Sequence, residues 1–300
     1  MPKWLDRPAL LVVFAALFWS GNAVVGRIAV VEVPPVTLAF LRWFIAFGIV
    51  MPFAVKAVWN DRAVIARNWL LLAAFGIIGV AAFNTCLYIG LRTTQAINAG
   101  LLQAGTPMMI VGFSALLLRE RPSWRQLLGL AVAIAGVLAI LLKADVEALA
   151  SLRLNGGDIW VLAGCILYAL YSVLLRWRPQ MSALSFLAVT FAFSWIGLLP
   201  FSLVELAHSA PIPLSAKNLG SIIYVGIFPS VLSYLCFNRA IELVGAARAG
   251  MALYLVPMFV SVMAVVLIGE PFHFYHLLGM ALILGGVALG SLKASQPERQ

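Results

Sequence analysis

Residues 96–118 read AINAGLLQAGTPMMIVGFSALLL, and residues 246–268 read AARAGMALYLVPMFVSVMAVVLI. The two stretches lie 150 residues apart, and in that register Ala99-Gly100 meets Ala249-Gly250 and Pro107 meets Pro257. The register carries 66–144 onto 216–294 without a gap. Asn68 meets Asn218, Gly76 meets Gly226, Cys86 meets Cys236, Glu120 meets Glu270 and Gly129 meets Gly279. Matched Leu and Ala arise easily by chance in so apolar a chain; matched Gly, Pro, Asn and Glu in one register do not. The chain therefore reads as two related halves, 1–150 and 151–300. Their front parts match more weakly, Arg27 falling on Arg176 only after a shift of one.

Working outward, each half is a series of apolar runs. Hydrophobic residues make up 63% of the 300 and charged ones only 10%, against about 25% charged in a soluble domain. So little polar surface cannot cover a soluble protein, and lipid must be part of the solvent. About 20 apolar residues are needed to cross a bilayer as a helix. Runs of that length fall at roughly 8–31, 35–58, 69–91, 96–118, 125–143, 158–177, 182–204, 217–240, 246–268 and 274–292. The first is too long for a signal-peptide core and is followed at once by others, so it reads as a retained helix. The expected fold is an all-α integral membrane protein of ten transmembrane helices. The alternation in short segments that marks a transmembrane β-barrel is absent.

Lys and Arg orient the spans. With a cytoplasmic N-terminus, fourteen of them fall in inside loops and five outside: Arg27, Arg92, Lys143, Arg153 and Lys217. Both termini are then cytoplasmic. Five spans per half is odd, so the second half is inverted relative to the first. The loop charges agree: Arg119, Arg121 and Arg125 in the first half are replaced by Glu270, His273 and His276 in the second. The net charge of +9 is thereby placed in loops, and a nucleic-acid partner is not expected. Inverted repeats commonly hold a substrate site near the midplane, between the halves.

Polar and aromatic residues inside spans are the candidate site. They are Trp19 and Asn22 in the first run, Asn84 and Tyr88 in the third, and Gln103 in the fourth. Tyr168 and Tyr171 follow in the sixth, Tyr234 and Asn238 in the eighth, and Tyr254 in the ninth. Asn84 and Tyr88, like Tyr234 and Asn238, are four apart and share a helix face. Amides in hydrocarbon are costly unless paired or wet. They either bond neighbouring helices or line a neutral, aromatic cavity. Pro107 and Pro257 each free a carbonyl in mid-span, which fits a packing kink, a hinge or a cavity wall. Arg42, about two turns or roughly 10 Å inside its span, is either structural or a contact for a substrate carboxylate. The fifth and tenth spans carry small residues (Gly129, Gly136, Gly279, Gly286) and read as peripheral.

The acidic residues fall in loops or at span ends, which gives no midplane carboxylate for a proton relay. Glu120 and Glu270 read as structural, and His273 and His276 as a surface pair in an outside loop despite their metal-compatible spacing. Cys86, Cys165 and Cys236 lie in apolar runs without a CxxC arrangement, so neither a metal nor a cofactor is expected. No interior nucleophile and base are paired, which argues against an enzyme.

The order and spacing of Leu17-Phe18-Trp19-Ser20-Gly21-Asn22, Leu38-Ala39-Phe40-Leu41-Arg42-Trp43, Leu118-Arg119-Glu120-Arg121-Pro122 and Gly269-Glu270-Pro271 resemble the drug/metabolite transporter superfamily, EamA type, over nearly the whole chain. Within it the chain looks like the bacterial aromatic amino acid exporters. The resemblance implies a basket of ten helices around a central cavity, lined by spans 1, 3, 4, 6, 8 and 9, with 5 and 10 outside. It implies export of amino acids and related small metabolites across the bacterial inner membrane by alternating access. The protein would be a monomer or weak homodimer whose partners are the substrate and the bilayer. The family usually has Trp-Gly near the centre of the first helix; here Ser20 intervenes. An organic-cation or drug exporter of the same superfamily is the alternative, weakened by the missing acidic counter-ion.

Overall fold

The computed structural model describes residues 7–119, 122–143, 155–244 and 252–291, with the side chains of residues 252–254 and 291 outside the description. The described residues are helical and contain no strand. The long helices are α1 (Pro8–Ala29), α2 (Pro35–Asn60), α3 (Trp69–Gly90), α4 (Ala96–Leu117), α5 (Trp124–Leu141), α6 (Gly156–Trp177), α7 (Ala183–His208) and α8 (Ala216–Val244). All eight are long and apolar enough to cross a membrane; α9 (Ala252–Ile268) and α10 (Phe274–Ser291) are shorter apolar helices.

Local chemistry sets the starts. Pro8 and Pro35 open α1 and α2, where a missing N–H costs nothing. Ser123 and Gln126 form a reciprocal capping box on α5. Asn155 and Ser215 cap α6 and α8 through the Gly157 and Asn218 amides. Two helices are interrupted by π turns, Phe75–Ala82 in α3 and Phe228–Leu232 in α8. A third, α4, is broken between Ala104 and Thr106, just ahead of Pro107.

Neighbouring helices run alternately up and down. The start of α2 meets the end of α7 through Thr37 and Glu205, and its end meets the start of α7 through Asp61 and Ser182. The end of α3 meets the start of α6 at Gly90 and Gly157. Antiparallel α5 and α10 approach at Gly129–Gly286 and Gly136–Ile283. A Cβ on Gly129 would lie 2.5 Å from the Gly286 carbonyl oxygen, so only glycine permits this approach. Small residues let the two backbones meet, as between helices in lipid. The molecule thus has a near end, where α1 starts and α10 finishes, and a far end holding the starts of α2, α4, α6, α8 and α10.

The core joins Val24, Leu38, Trp43, Tyr88, Leu101, Val161, Phe191 and Val260, and so spans both halves of the sequence. The outside is also apolar: Phe53 is 77% exposed and Val266 73%. Such an exterior is wetted by lipid chains rather than water.

Candidate functional site

The interior holds a cavity of about 720 Å³. Trp19, Asn22, Asn84, Gln103, Tyr168, Tyr171 and Tyr234 line it, together with Arg42, Pro107 and Pro257. Aromatic rings face it from two sides. Trp19 meets Phe237 edge-on at 5.2 Å between centroids and Tyr234 at 6.1 Å. Opposite, Tyr168 packs on Phe83 at 5.1 Å and on Tyr171 at 5.8 Å. Rings held this way are locked in place and present both faces and edges to a ligand. The cavity extends toward the near end, since Gln126, two residues into α5, and Gly290, at the close of α10, border it.

Arg42 is the charged member of the wall. It is 4% exposed and points into the protein. Its Nη1 donates to Asn22 Oδ1 and, at 2.9 Å, to Tyr88 Oη; Tyr88 in turn donates to Asn22 Oδ1 at 2.8 Å. Asn22 Nδ2 donates to Asn84 Oδ1 at 3.4 Å. The guanidinium also lies 4.8 Å from the Trp43 ring. Among the described residues these acceptors are neutral, no Asp or Glu lines the cavity, and Arg42 Nε is buried without a partner. A buried cation is expensive without a counter-charge. The wall thus carries a positive charge with no counter-charge among its described residues.

The backbone contributes as well. Proline at 107 leaves the Gln103 carbonyl without its ordinary i+4 donor, and the Gln103 amide bonds the Ala99 carbonyl at 3.0 Å. Gly79 and Pro229, one in each π turn, both line the cavity. π turns release a carbonyl and often sit at functional sites. Gly79 also leaves room for Tyr171: a Cβ there would come within 2.0 Å of the ring.

Several residues lie elsewhere than their sequence positions suggest. Tyr88 is fully buried behind the wall, supporting Arg42 rather than facing the cavity. Asn238 is exposed; one turn beyond Tyr234, or about 6 Å along the axis, α8 has passed the cavity. The Tyr254 side chain, like Glu120, lies outside the described residues. Arg42 and Trp43 bring α2 into the wall, and α5 and α10 contribute Gln126, Leu284, Val287 and Gly290 at its near edge, so those two helices are not wholly outside. The π turns carry a sequence signal of their own, Gly79 and Pro229 in mid-run. His276, expected at the surface, is 0% exposed, and so is Asp158; Glu270 is 9% exposed. Each sits at or before a helix start at the far end, where neighbouring helices cover it.

A helical protein with a lipid-wetted exterior and an internal cavity lined by polar and aromatic side chains has the form of a membrane transporter. The family comparison agrees: the EamA-like transporter family matches residues 7–142 and again 155–292, and the chain belongs to that family. It is 27% identical to the uncharacterized transporter YyaM of Bacillus subtilis, covering 86% of this chain and 84% of that one. It is 31% identical to a probable terminal-alkyne amino-acid exporter of Streptantibioticus cattleyicolor, over 75% of this chain and 73% of that one. A crystal structure 20% identical in sequence has the same fold, with a TM-score of 0.62 over 95% of this chain and 96% of that one.

Proposed function

We propose that the protein exports amino acids and related small metabolites across the bacterial cell membrane by alternating access, with both termini cytoplasmic. The observation that carries this is Arg42, a buried guanidinium with neutral partners on the wall of an aromatic cavity. An amino acid's carboxylate supplies the missing charge beside the Arg42 guanidinium. Its side chain lies against Trp19, Tyr168, Tyr171 or Tyr234, and its ammonium finds the Gln103 side-chain oxygen and the ring faces. The relative described as a probable terminal-alkyne amino-acid exporter supports the same substrate class.

Two inverted repeats of five helices, 1–150 and 151–300, supply the exchange of access. Three observations support them: the same family model matches each half, the π turns share residues at the 150-residue spacing, and Pro107 and Pro257 both line the cavity. These prolines serve as hinges, since α4 is broken at the first of them. Trp19, Asn22, Asn84, Gln103, Tyr168, Tyr171 and Tyr234 form the binding wall, while Tyr88 holds Arg42.

The test is uptake into liposomes by the purified protein, comparing radiolabelled phenylalanine with its decarboxylated amine. Saturable uptake of the amino acid and not the amine is expected. Arg42→Gln should raise its KM by about ten- to a hundredfold, the loss of one charge-assisted hydrogen bond of about 1.5–3 kcal/mol. Trp19→Ala and Gln103→Ala should impair it further. Uptake of the amine alone, unaffected by Arg42→Gln, would overturn the reading in favour of organic cations.

A further inference from the structure

A second buried polar group lies apart from the cavity, at the far end. The Asp158 carboxylate, near the start of α6, accepts from the Thr94 hydroxyl and, at 3.3 and 3.4 Å, from the Asn98 amide nitrogen. Asn98, near the start of α4, therefore turns its carbonyl oxygen to His276 Nε2, 3.0 Å away on α10. His276 Nδ1 accepts the His273 backbone N–H at 3.0 Å. Thr94 and Asn98 are 1% and 2% exposed. Three helix starts are tied together by four side chains.

The direction of each bond is forced. Asp158 as acceptor fixes which way Asn98 points. Asn98 then requires a proton on His276 Nε2, and the His273 amide requires none on Nδ1. The ring is satisfied only in the neutral form, as one tautomer. A proton added at Nδ1 would set N–H against N–H, on the side away from Asp158. The surrounding ionisable groups are Lys143 at the end of α5, Glu270 and His273 ahead of α10, and Tyr275 beside His276 at 4.1 Å between rings. Glu270 is engaged in its own task, accepting the Ala96 and Ile97 amides at the start of α4 at 2.8 and 3.1 Å.

We infer that His276 is a proton-binding site that locks the far end: the neutral ring holds α4 against α6 and α10, and protonation at Nδ1 releases them. Asp158 is a positioning residue that acts through Asn98. Once released to water the ring titrates near the ordinary histidine value of about 6.5, so the gain on release is felt as pH falls through that value. A proton that binds the released form better than the locked form must favour release. The freed segment, Ala96–Ala104, leads directly to the break ahead of Pro107, so release reaches the cavity through one helix. The lock stands on the geometry of the far end alone; that this end faces outside the cell, and so takes its proton from there, rests on the orientation proposed above.

Hydrogen–deuterium exchange on the full chain in lipid nanodiscs reads the lock without any substrate. Corrected for intrinsic exchange, residues 94–104 should open up to about tenfold more at about pH 5.5 than at about pH 7.5, the change that one linked proton gives when the released ring titrates near about 6.5. Residues 183–208 serve as the reference and should change little. His276→Gln should abolish the step, and Asp158→Asn should shrink or shift it. Should a variant misfold, the slow exchange of the His276 ring C2 proton in the natural protein must titrate with the same midpoint as the backbone opening. No step, a step equal in both segments, a step retained in His276→Gln, or two unrelated midpoints would each overturn the inference. A failure of amino acid uptake would leave it standing.

Discussion

The two ends of the molecule are held by different means. At the far end, carboxylates reach across to other helices. Glu205 accepts the Val36 and Thr37 amides at 3.2 and 2.7 Å, Glu270 those of Ala96 and Ile97, and Glu32 bonds Lys217 and Asn218. Each places negative charge at the start of α2, α4 or α8, where the helix dipole favours it. Among the described residues at the near end, the bonds are more exposed: Asp61 accepts the Ser182 amide at 3.0 Å, and Arg239 donates to Glu242 within α8. The cavity leans toward that end. The lesson is that the described residues pin one end by several directed, largely buried bonds across helices, while the cavity leans toward the other end, the asymmetry that the alternating access proposed above would use.

The contrast can be broken most strongly at Glu270. Glu270→Ala leaves two buried amides without an acceptor and should cost about 2–3 kcal/mol, read as a lower unfolding temperature in detergent. Asp61→Ala at the near end should cost less than about 0.5 kcal/mol. Equal losses would mean that the far end is not the pinned one.

A smaller effect is expected at Gly157. A Cβ there would meet the Gly90 carbonyl oxygen at 2.5 Å and the Thr94 nitrogen at 2.8 Å, whereas one on Gly156 would meet nothing within 4 Å. Gly157→Ala should therefore destabilise by about 1–3 kcal/mol and Gly156→Ala hardly at all. The same measurement on this adjacent pair tells close packing from simple loss of glycine.

The smallest change should follow Glu32→Gln. The Lys217 ammonium bonded to Glu32 holds its carboxyl below the usual range. A carboxylate with a lowered pKa stabilises at neutral pH, and that contribution is lost as pH falls through the lowered value. The pair is solvent-exposed, so added salt should erase most of the difference between variant and natural protein. A difference that survives high salt would show that hydrogen bonding to Asn218, rather than charge, holds this corner.

Much of the cavity wall was legible because polar and aromatic residues are conspicuous in apolar runs. Asn22, Asn84 and Gln103 stand out against Leu and Val for a physical reason, the cost of an unpartnered amide in hydrocarbon. What the sequence could not supply was the direction each side chain faces once helices pack. Tyr88 and Asn238 satisfy the same four-residue spacing as their partners, yet one lies behind the wall and the other is exposed. Asp158, Glu270 and His276 read as loop or span-end residues, since burial at a helix start depends on which other starts crowd around it. Arg42 stood out by its charge, but its lack of a counter-charge became visible only with its neighbours Asn22 and Tyr88 in place.

The π turns have a consequence for how α3 and α8 are timed along their length. One extra residue in a turn advances everything after it by about 100°. The part of α8 after Leu232 is therefore out of phase with the part before it, and a stripe of residues on one face of the first part does not continue onto the same face of the second. Each of these helices behaves as two shafts joined at an offset coupling. The outer shaft can present one face to its neighbours while the inner one turns a different face to the cargo.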